Sequence, residues 1–366
     1  MTLPTFPPRP SAHVAARQQR GLSLIELMIA LVLGLIVTGA ALAFFLTSKR
    51  TYATTESLGR LQEGGRAAFE LMSRDVREAG ANPCSSRATV VNLLRDGDSA
   101  WWQAWHDGVR GFTAAMPAPG TASGNGVGQR VAGTDAIDLH LATDGDYRVV
   151  QHTTPSAVLS LNSADGLAVG DLLLACNLDY ALVFQATGLA ANAVQHNGGT
   201  GTPGNCGQEF RYERGTCAAG ASGDAGYCLY VTPGTPASAQ CLKRGSTPAH
   251  VARIGTARWY IGHNATGGRS LYRAWIINRS GTAVPDAIAP VEISDGVTGM
   301  VLRYREAGTS AFVDASAVTD WRRVHAVQVQ LQLEGDRGGL AAGTDGRALT
   351  RPLSTTIAIR NREGVL

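Results

Sequence analysis

Glu26 is the first residue whose type and position suggest chemistry, because it stands at the edge of a long uncharged run. Residues 27–46 carry no charged side chain, so no basic residue inside the run is available to pair with the Glu26 carboxylate. An acidic group within a bilayer costs roughly 2–3 kcal/mol or more, and such groups usually serve a function. The sequence therefore predicts a functional role for Glu26.

No other group of residues indicates catalysis, metal binding or cofactor binding. The sequence lacks the patterns H-E-x-x-H and G-x-S-x-G and a phosphate-binding loop, and its 8 histidines are scattered singly. His140 and His325 fall in strand-like patterns, which favours structural roles for both. We assign Trp101, Trp102 and Trp105 to core or interface packing rather than to a binding platform. The sequence thus predicts a protein that is not an enzyme and that has no cofactor.

The uncharged run is long enough to cross a membrane as one helix. At about 1.5 Å per residue, residues 27–46 span about 30 Å, which is the thickness of a bilayer core. Arg17 and Arg20 precede the run, and Lys49 and Arg50 follow it. The short basic N-terminus favours an N-in orientation, which places the rest of the chain in the periplasm. An ordinary secretory signal is disfavoured, because its apolar run has only about 7–15 residues.

The bulk composition fits a folded, loop-rich β domain and does not indicate a nucleic-acid binder. Hydrophobic residues make up 44% of the chain and charged residues 17%, and there are 44 glycines. The net charge is +3, and Arg9, Arg17 and Arg20 precede Leu22 without any acidic residue. The remainder of the chain is therefore balanced in charge and offers no electrostatic footprint for nucleic acid.

The helical pattern continues beyond the membrane run. Apolar residues recur at spacings of three and four from Leu58 to Ala79, and Gly80 followed by Pro83 marks the end of the helix. We therefore predict one helix over residues 22–80, with its transmembrane half at 22–46. The head is predicted to occupy residues 81–366.

Short apolar runs separated by Gly, Asn, Asp and Pro predict the strands of the head. The run at 326–334 alternates apolar residues with glutamines, which indicates an antiparallel sheet with one face in water. Gly-rich stretches at 120–128 and 197–207 are predicted as surface loops. The predicted fold class is α+β, with a long N-terminal helix packed on an antiparallel β-rich head. The predicted strands are 136–141, 158–161, 172–175, 182–186, 227–231, 249–254, 257–262, 270–275, 296–304, 326–334 and 355–360.

The cysteines are predicted to form disulfides, because a periplasmic head lies in an oxidising compartment. Their wide spacing, without a C-x-x-C pair, argues against a zinc site. Six cysteines allow 15 connectivities, and the sequence does not choose among them. We expect the four later cysteines to pair largely among themselves and the two earlier ones to pin the helix end to the sheet. The earlier pair is Cys84 and Cys176, and the later four are Cys206, Cys217, Cys228 and Cys241.

The residues around Gly21 resemble the class III signal of prepilins. In that signal a basic leader ends in Gly, an apolar residue follows, and Glu is the fifth residue of the mature chain; here these are Gly21, Leu22 and Glu26. Leu22 departs from the usual Phe. The resemblance implies that a prepilin peptidase removes residues 1–21 by cleavage between Gly21 and Leu22, and that the new Leu22 amine is N-methylated. Glu26 would then pair with its own or a neighbouring subunit's amine, which offsets the cost of burying either charge and fixes the register between subunits.

Scattered segments of the head are similar to the PilW family of type IV minor pilins. The resemblance implies a structural subunit of the minor-pilin complex, which primes pilus assembly at or near the tip. It implies other minor pilins, the major pilin, the prepilin peptidase and the inner-membrane assembly platform as partners. The segments that carry it are 72–80 (MSRDVREAG), 170–176 (GDLLLAC), 183–186 (VFQA), 251–262 (VARIGTARWYIG), 270–273 (SLYR) and 355–362 (TTIAIRNR).

Two alternative functions remain open at this level. A pseudopilin of type II secretion, the J-like subunit in particular, carries the same signal and the same mechanism of assembly. A membrane-anchored periplasmic adhesin or hydrolase with an incidental Glu26 belongs to a different class. In the favoured interpretation the protein is anchored in the inner membrane by a single helix, with a periplasmic head, and then enters an extracellular pilus.

Overall fold

The N-terminal element is a single long helix, α1 (Leu24–Glu78). The computed structural model describes residues 21, 23–95, 101–105, 108–152, 157–210, 227–229, 243–244, 248–276, 290–335 and 348–362. The helix begins after its N-cap, Ser23, and its C-cap is Ala79. Gly80 follows with a φ of +68°, a conformation that costs glycine little and lets the chain turn from the helix into the head. The predicted helix is confirmed, although it begins two residues later and ends two residues earlier than predicted.

The rest of the described chain is built mainly of strands, so the predicted α+β fold class is confirmed. Short 3₁₀ helices connect some of them, at Trp101–Gln103, Ala315–Ala317, Trp321–Arg323 and Arg360–Arg362. In chain order the strands are β1 (Thr89–Asn92), β2 (Val109–Phe112), β3 (Ala136–Gln151), β4 (Val158–Leu161), β5 (Leu172–Cys176), β6 (Tyr180–Gln185), β7 (Gly188–Ala190), β8 (Ala193–Gln195), β9 (Tyr227–Cys228), β10 (Lys243–Arg244), β11 (His250–His263), β12 (Arg269–Ile276), β13 (Val291–Asp295), β14 (Val297–Glu306), β15 (Val324–Glu334) and β16 (Thr350–Ala358).

The strands form three sheets within the described residues. The largest has the order β1-β6-β5-β11-β3-β4-β8-β7, with β12 and β13 branching from β11 and β2 pairing with β3. A second sheet has the order β14-β15-β16, and β9 pairs with β10 in a third. Most pairs are antiparallel, as predicted, but β1 pairs with β6 and β10 pairs with β9 in parallel. Both pairs involve strands of only a few residues, and the alternation of apolar residues does not reveal which strands pair or in which direction.

The core beneath the helix joins α1 to both larger sheets. The helix buries one stripe, which includes Leu61, Gly65, Met72 and Val76, in agreement with the predicted spacing. Strand β15 completes the core with its alternating apolar residues, while its glutamines lie on the other face. The residues of β15 with an exposed fraction of 1% or less are Val324, Val327, Val329, Leu331 and Leu333.

A second core lies beyond the end of the helix. Ala79 forms an isolated bridge to Leu141 in the middle of β3, and β3 continues past that point to Gln151. Strand β11 likewise pairs with β12 over Thr256–His263 and with β5 over His250–Arg253. Both long strands therefore extend from the layer beneath the helix into a distal layer. The distal core includes Val149, Leu159, Leu173, Leu182 and Val194.

At Gly65, α1 packs closely against the sheet of β14, β15 and β16. A Cβ atom at this position would lie 2.6 Å from Leu333 Cδ1 and 2.8 Å from Leu353 Cδ1, whereas nothing lies within 4 Å of a Cβ at Gly59. Overpacking a well-filled core costs about 1–3 kcal/mol. We therefore expect Gly65→Val to lower the free energy of unfolding by about 2 kcal/mol more than Gly59→Val does. Urea unfolding of the full chain in detergent measures this difference, and equal midpoints for the two variants would contradict the packing argument.

Candidate assembly site on the N-terminal helix

The first half of α1 has no partner within the chain. Large apolar side chains from Leu24 to Leu46 are exposed, for example 78% of Leu24 and 75% of Phe44. Among the described residues, α1 is the one helix long and apolar enough to cross a membrane. An apolar surface of this length is stable only in lipid or against the apolar surfaces of other chains. This half of the helix is therefore suited to anchor the chain in a membrane or to associate with other chains.

The carboxylate of Glu26 caps the first turn of this anchor. Its Oε2 accepts hydrogen bonds from the Ser23 backbone N–H and from the Ser23 hydroxyl, each at 3.1 Å. The Glu26 backbone N–H donates in return to Ser23 Oγ at 3.2 Å. This is a capping box, in which two N-terminal N–H groups that lack helical partners are satisfied reciprocally. The carboxylate is thus held at the end of the helix where a newly formed N-terminal amine would lie.

The residues at the predicted cleavage point precede this cap. Gly21 is exposed, and no atom other than those of its chain neighbours lies within 4 Å of the position that a Cβ would take. The Gly21 backbone is therefore open to another protein. Leu22 lies outside the described residues, as does most of the predicted leader.

Asp75 anchors the other half of the helix to the head. Trp259 Nε1 of β11 donates to Asp75 Oδ2 at 2.9 Å, and Arg273 of β12 donates from Nε at 2.8 Å and from its terminal amino group at 3.0 Å. Burial raises the pKa of Asp75, and the charge of Arg273 acts in the opposite direction. Three donors from two strands converge on one helix side chain, so the helix has a defined orientation on the sheet.

A disulfide fixes the chain immediately beyond the helix. Cys84 and Cys176 are bonded, with their Cα atoms 5.9 Å apart, and these are the two residues that the sequence analysis paired. Cys176 is the last residue of β5, so the bridge joins the helix end to the distal layer. Cys206 and Cys228 each take part in a disulfide, and Cys217 and Cys241 lie outside the described residues.

The described residues contain no group of three or more His, Cys, Asp or Glu side chains that could hold a metal ion. His140 is fully buried and lies 4.9 Å from the ring of Trp105, and His325 Nε2 accepts a hydrogen bond from Arg305 at 3.0 Å. Trp102 and Trp105 are buried in the core, and Trp101 stacks on Arg258. These residues pack within the head and leave the start of α1 as the candidate functional site.

Sequence reasoning singled out Glu26 but overlooked two features around it. The capping role of Ser23 has a visible signal, since Ser23-Leu-Ile-Glu26 has the S-x-x-E spacing of a capping box. The anchoring role of Asp75 has no local signal, because its partners Trp259 and Arg273 are 184 and 198 residues away in sequence.

Comparison with known proteins identifies the N-terminal signal. Residues 16–42 match the family described as the prokaryotic N-terminal methylation motif. No curated protein and no solved structure matches the chain. The motif is the class III signal of type IV pilins, and it supports a pilin-like or pseudopilin-like subunit that is processed by a prepilin peptidase, anchored in a membrane and assembled with pilus-type machinery.

Proposed function

We propose that this protein is a minor pilin of a type IV pilus, resembling the PilW family, and that it helps to prime assembly at or near the tip. The observation that carries the proposal is a methylation motif placed on a 55-residue helix with a bare apolar first half and a second half packed on a β-rich head. Such a subunit needs no catalytic site. Its mechanism is self-association through residues 22–46 after extraction from the inner membrane.

Processing at Gly21 prepares Glu26 for its role in this mechanism. Cleavage between Gly21 and Leu22 removes residues 1–21 and creates a positive amine four residues before Glu26. In the capping box the Glu26 carboxylate already points to the N-terminal end of the helix. An amine from the same chain or from a neighbouring subunit can then neutralise Glu26 in an apolar bundle, where an unpaired carboxylate is costly.

Four of the six segments that resemble the PilW family meet in space around the helix end. Segment 72–80 supplies Asp75, and its partners Trp259 and Arg273 come from segments 251–262 and 270–273. Segment 355–362 supplies Arg362, which donates to the Val324 carbonyl at 2.9 Å and lies beside Gly80. Segments that are scattered in sequence therefore build one junction between helix and head. This convergence supports a shared architecture with that family.

The distal layer supports a place at or near the tip. Strands β3 and β11 carry it beyond the C-terminal end of α1, on the side of the head remote from the membrane anchor. A head of this length adds bulk where the next subunit along the filament would have to pack. The expected partners are other minor pilins, the major pilin and the inner-membrane assembly platform.

N-terminal sequencing of the mature protein tests the proposal. In cells with an active prepilin peptidase, we expect the mature chain to begin with N-methylated Leu22. A chain that begins at Met1 in such cells would contradict the proposal and would favour a plain membrane-anchored protein.

A pseudopilin of type II secretion is the second candidate, because the methylation motif serves both systems. Deletion of the gene distinguishes them. We expect loss of surface pili with normal protein secretion, whereas loss of secretion with normal piliation would assign the protein to the pseudopilus.

A further inference from the structure

A groove of about 980 Å³ runs between α1 and the base of the head. One wall is the face of α1 that carries Ala53, Ser57 and Gly64. The other wall is formed by the turn between β11 and β12, which includes Thr266, and by the turn between β13 and β14, which includes Gly296. The groove therefore lies on the part of the helix that follows the apolar run, outside the region that lipid would cover.

The size and lining of the groove fit a helix. Two turns of α-helix, about 10 Å in diameter and about 11 Å long, occupy about 850 Å³. Gly267 lies on the head wall with nothing within 4 Å of the position that a Cβ would take, and such a small residue lets a second helix backbone approach closely. The groove is open and carries polar side chains along its length, unlike the enclosed and mostly apolar sites that hold small molecules.

The charges in the groove disfavour an anionic ligand. Arg60 is paired with Glu56 at 2.5 Å on the helix wall, so its charge is already compensated. Asp295 lies on the opposite wall and accepts hydrogen bonds from Asn264 at 2.7 Å and from its neighbour's backbone at 2.7 Å. With Arg269 and Glu334, the lining carries two basic and three acidic side chains, so it offers no excess positive potential to phosphate or nucleic acid. It suits a segment that itself carries mixed charge.

The helix wall of the groove continues into the apolar half of α1 as one stripe. Ala53, Ser57, Leu61 and Gly64 follow the spacing of three and four, and the same spacing continues towards the N-terminus along one helix face. A second helix that packs along this stripe within the membrane would enter the groove where it leaves the membrane. The positions that extend the stripe towards the N-terminus are Lys49, Leu46, Leu42, Gly39 and Leu35.

We propose that the groove receives the extramembrane helix of a neighbouring pilin-like subunit, in the stretch just after that subunit's own apolar run. The inference rests on the proposed function, because it requires a partner with the same helix. It adds that the head, and not the membrane helix alone, selects and aligns that partner. The corresponding stretch of this chain carries Lys49, Arg50, Glu56 and Arg60, which is the mixed charge that the groove accommodates.

Photo-cross-linking in cells tests the identity of the occupant. The full-length chain carries benzoylphenylalanine in place of Ser57, which lines the groove, or in place of Gln62, which lies on the opposite side of the helix. We expect a light-dependent adduct from position 57 whose cross-linked peptide maps to the helix of another subunit, shortly after its apolar run. An adduct that maps to a partner's head, or no adduct at 57 when the protein is present in the assembled complex, would overturn the proposal.

Filling the groove from either wall provides a second test. We expect Ala53→Trp and Thr266→Trp each to reduce recovery of the subunit in the assembled complex at least tenfold. The controls are Gln62→Trp on the far side of the helix and Ala265→Trp beside Thr266 but outside the lining, which we expect to stay within twofold of the wild type. The thermal unfolding midpoint of each full-length variant in detergent verifies that the head is folded.

The two proposals fail in different ways. Normal assembly of both filled variants, with cleavage after Gly21 intact, would refute the groove as a docking site and leave the pilin function in place. Absence of cleavage in the wild type would refute the pilin function itself.

Discussion

Glu26→Gln is expected to leave cleavage after Gly21 intact and to remove the subunit from assembled pili. Glutamine keeps the shape of the side chain and its ability to accept hydrogen bonds from Ser23, so the start of the helix should persist. It cannot neutralise a buried amine. A charge left unpaired in an apolar bundle costs roughly 2–3 kcal/mol, which corresponds to roughly a 30- to 150-fold loss of assembly.

The measurement compares total protein with protein recovered in sheared pili, and the mobility of the chain reports processing. Glu63→Gln is the matched control, because Glu63 lies on the exposed face of α1 outside the apolar run. Gly21→Glu should instead block cleavage, so that the chain retains its leader. Normal incorporation of the processed Glu26→Gln variant would contradict the pairing role of this carboxylate.

The long helix was predictable because its signals are local. The length of the uncharged run, the three-and-four spacing from Leu58 to Ala79 and the breaker at Gly80 all lie within one segment, and the observed helix agrees with them. Strand β15 was predictable for the same reason, since its alternation of apolar residues and glutamines directly reports which face is buried.

Strand β11 shows where local signals mislead. Two strands were predicted, at 249–254 and 257–262, because Gly255 interrupts the apolar pattern. The structure forms one strand, in which Gly255 pairs with Leu141 of β3 and the neighbouring residues pair with β12. Pairing on both sides outweighs the weak strand propensity of one glycine. Strand β13 was not predicted, because Val291–Asp295 is short and contains two acidic residues.

The candidate site likewise has one part that local sequence signals predict and one part that they do not. Glu26 stands out in the sequence because an acid beside an uncharged run is rare, and the capping box with Ser23 repeats a known local spacing. The attachment of the helix to the head depends on Asp75, Trp259 and Arg273, which only the folded chain brings together. Sequence therefore singles out the residue that we propose to pair between subunits, whereas the residues that orient the helix require the structure.

The largest effect on stability is expected from Asp138→Ala, which would leave a fully buried guanidinium without its counter-ion. Arg258 binds Asp138 through Nε and a terminal amino group, both at 2.6 Å, and the two side chains are 0% and 2% exposed. The remaining partners of Arg258 are the Pro119 carbonyl, the Thr121 hydroxyl at 2.8 Å and the rings of Trp101 and Phe112, with centroids 4.1 Å and 5.4 Å away. They do not replace the carboxylate. Breaking a buried pair by removing one partner costs about 3–5 kcal/mol, so the free energy of unfolding should fall by this amount.

Urea unfolding of the full chain in detergent, followed by tryptophan fluorescence, measures the loss. Asp314→Ala is the matched control, because Asp314 faces Arg303 at 3.7 Å with both side chains about half exposed, and such pairs contribute less than about 1 kcal/mol. The double variant Asp138→Leu with Arg258→Met should recover most of the loss, since a well-packed apolar pair replaces a buried ion pair at little cost. If Asp138→Ala is no less stable than Asp314→Ala, the pair does not hold β3 to β11. The two long strands that carry the distal layer beyond the helix would then depend on their backbone ladder and apolar core alone.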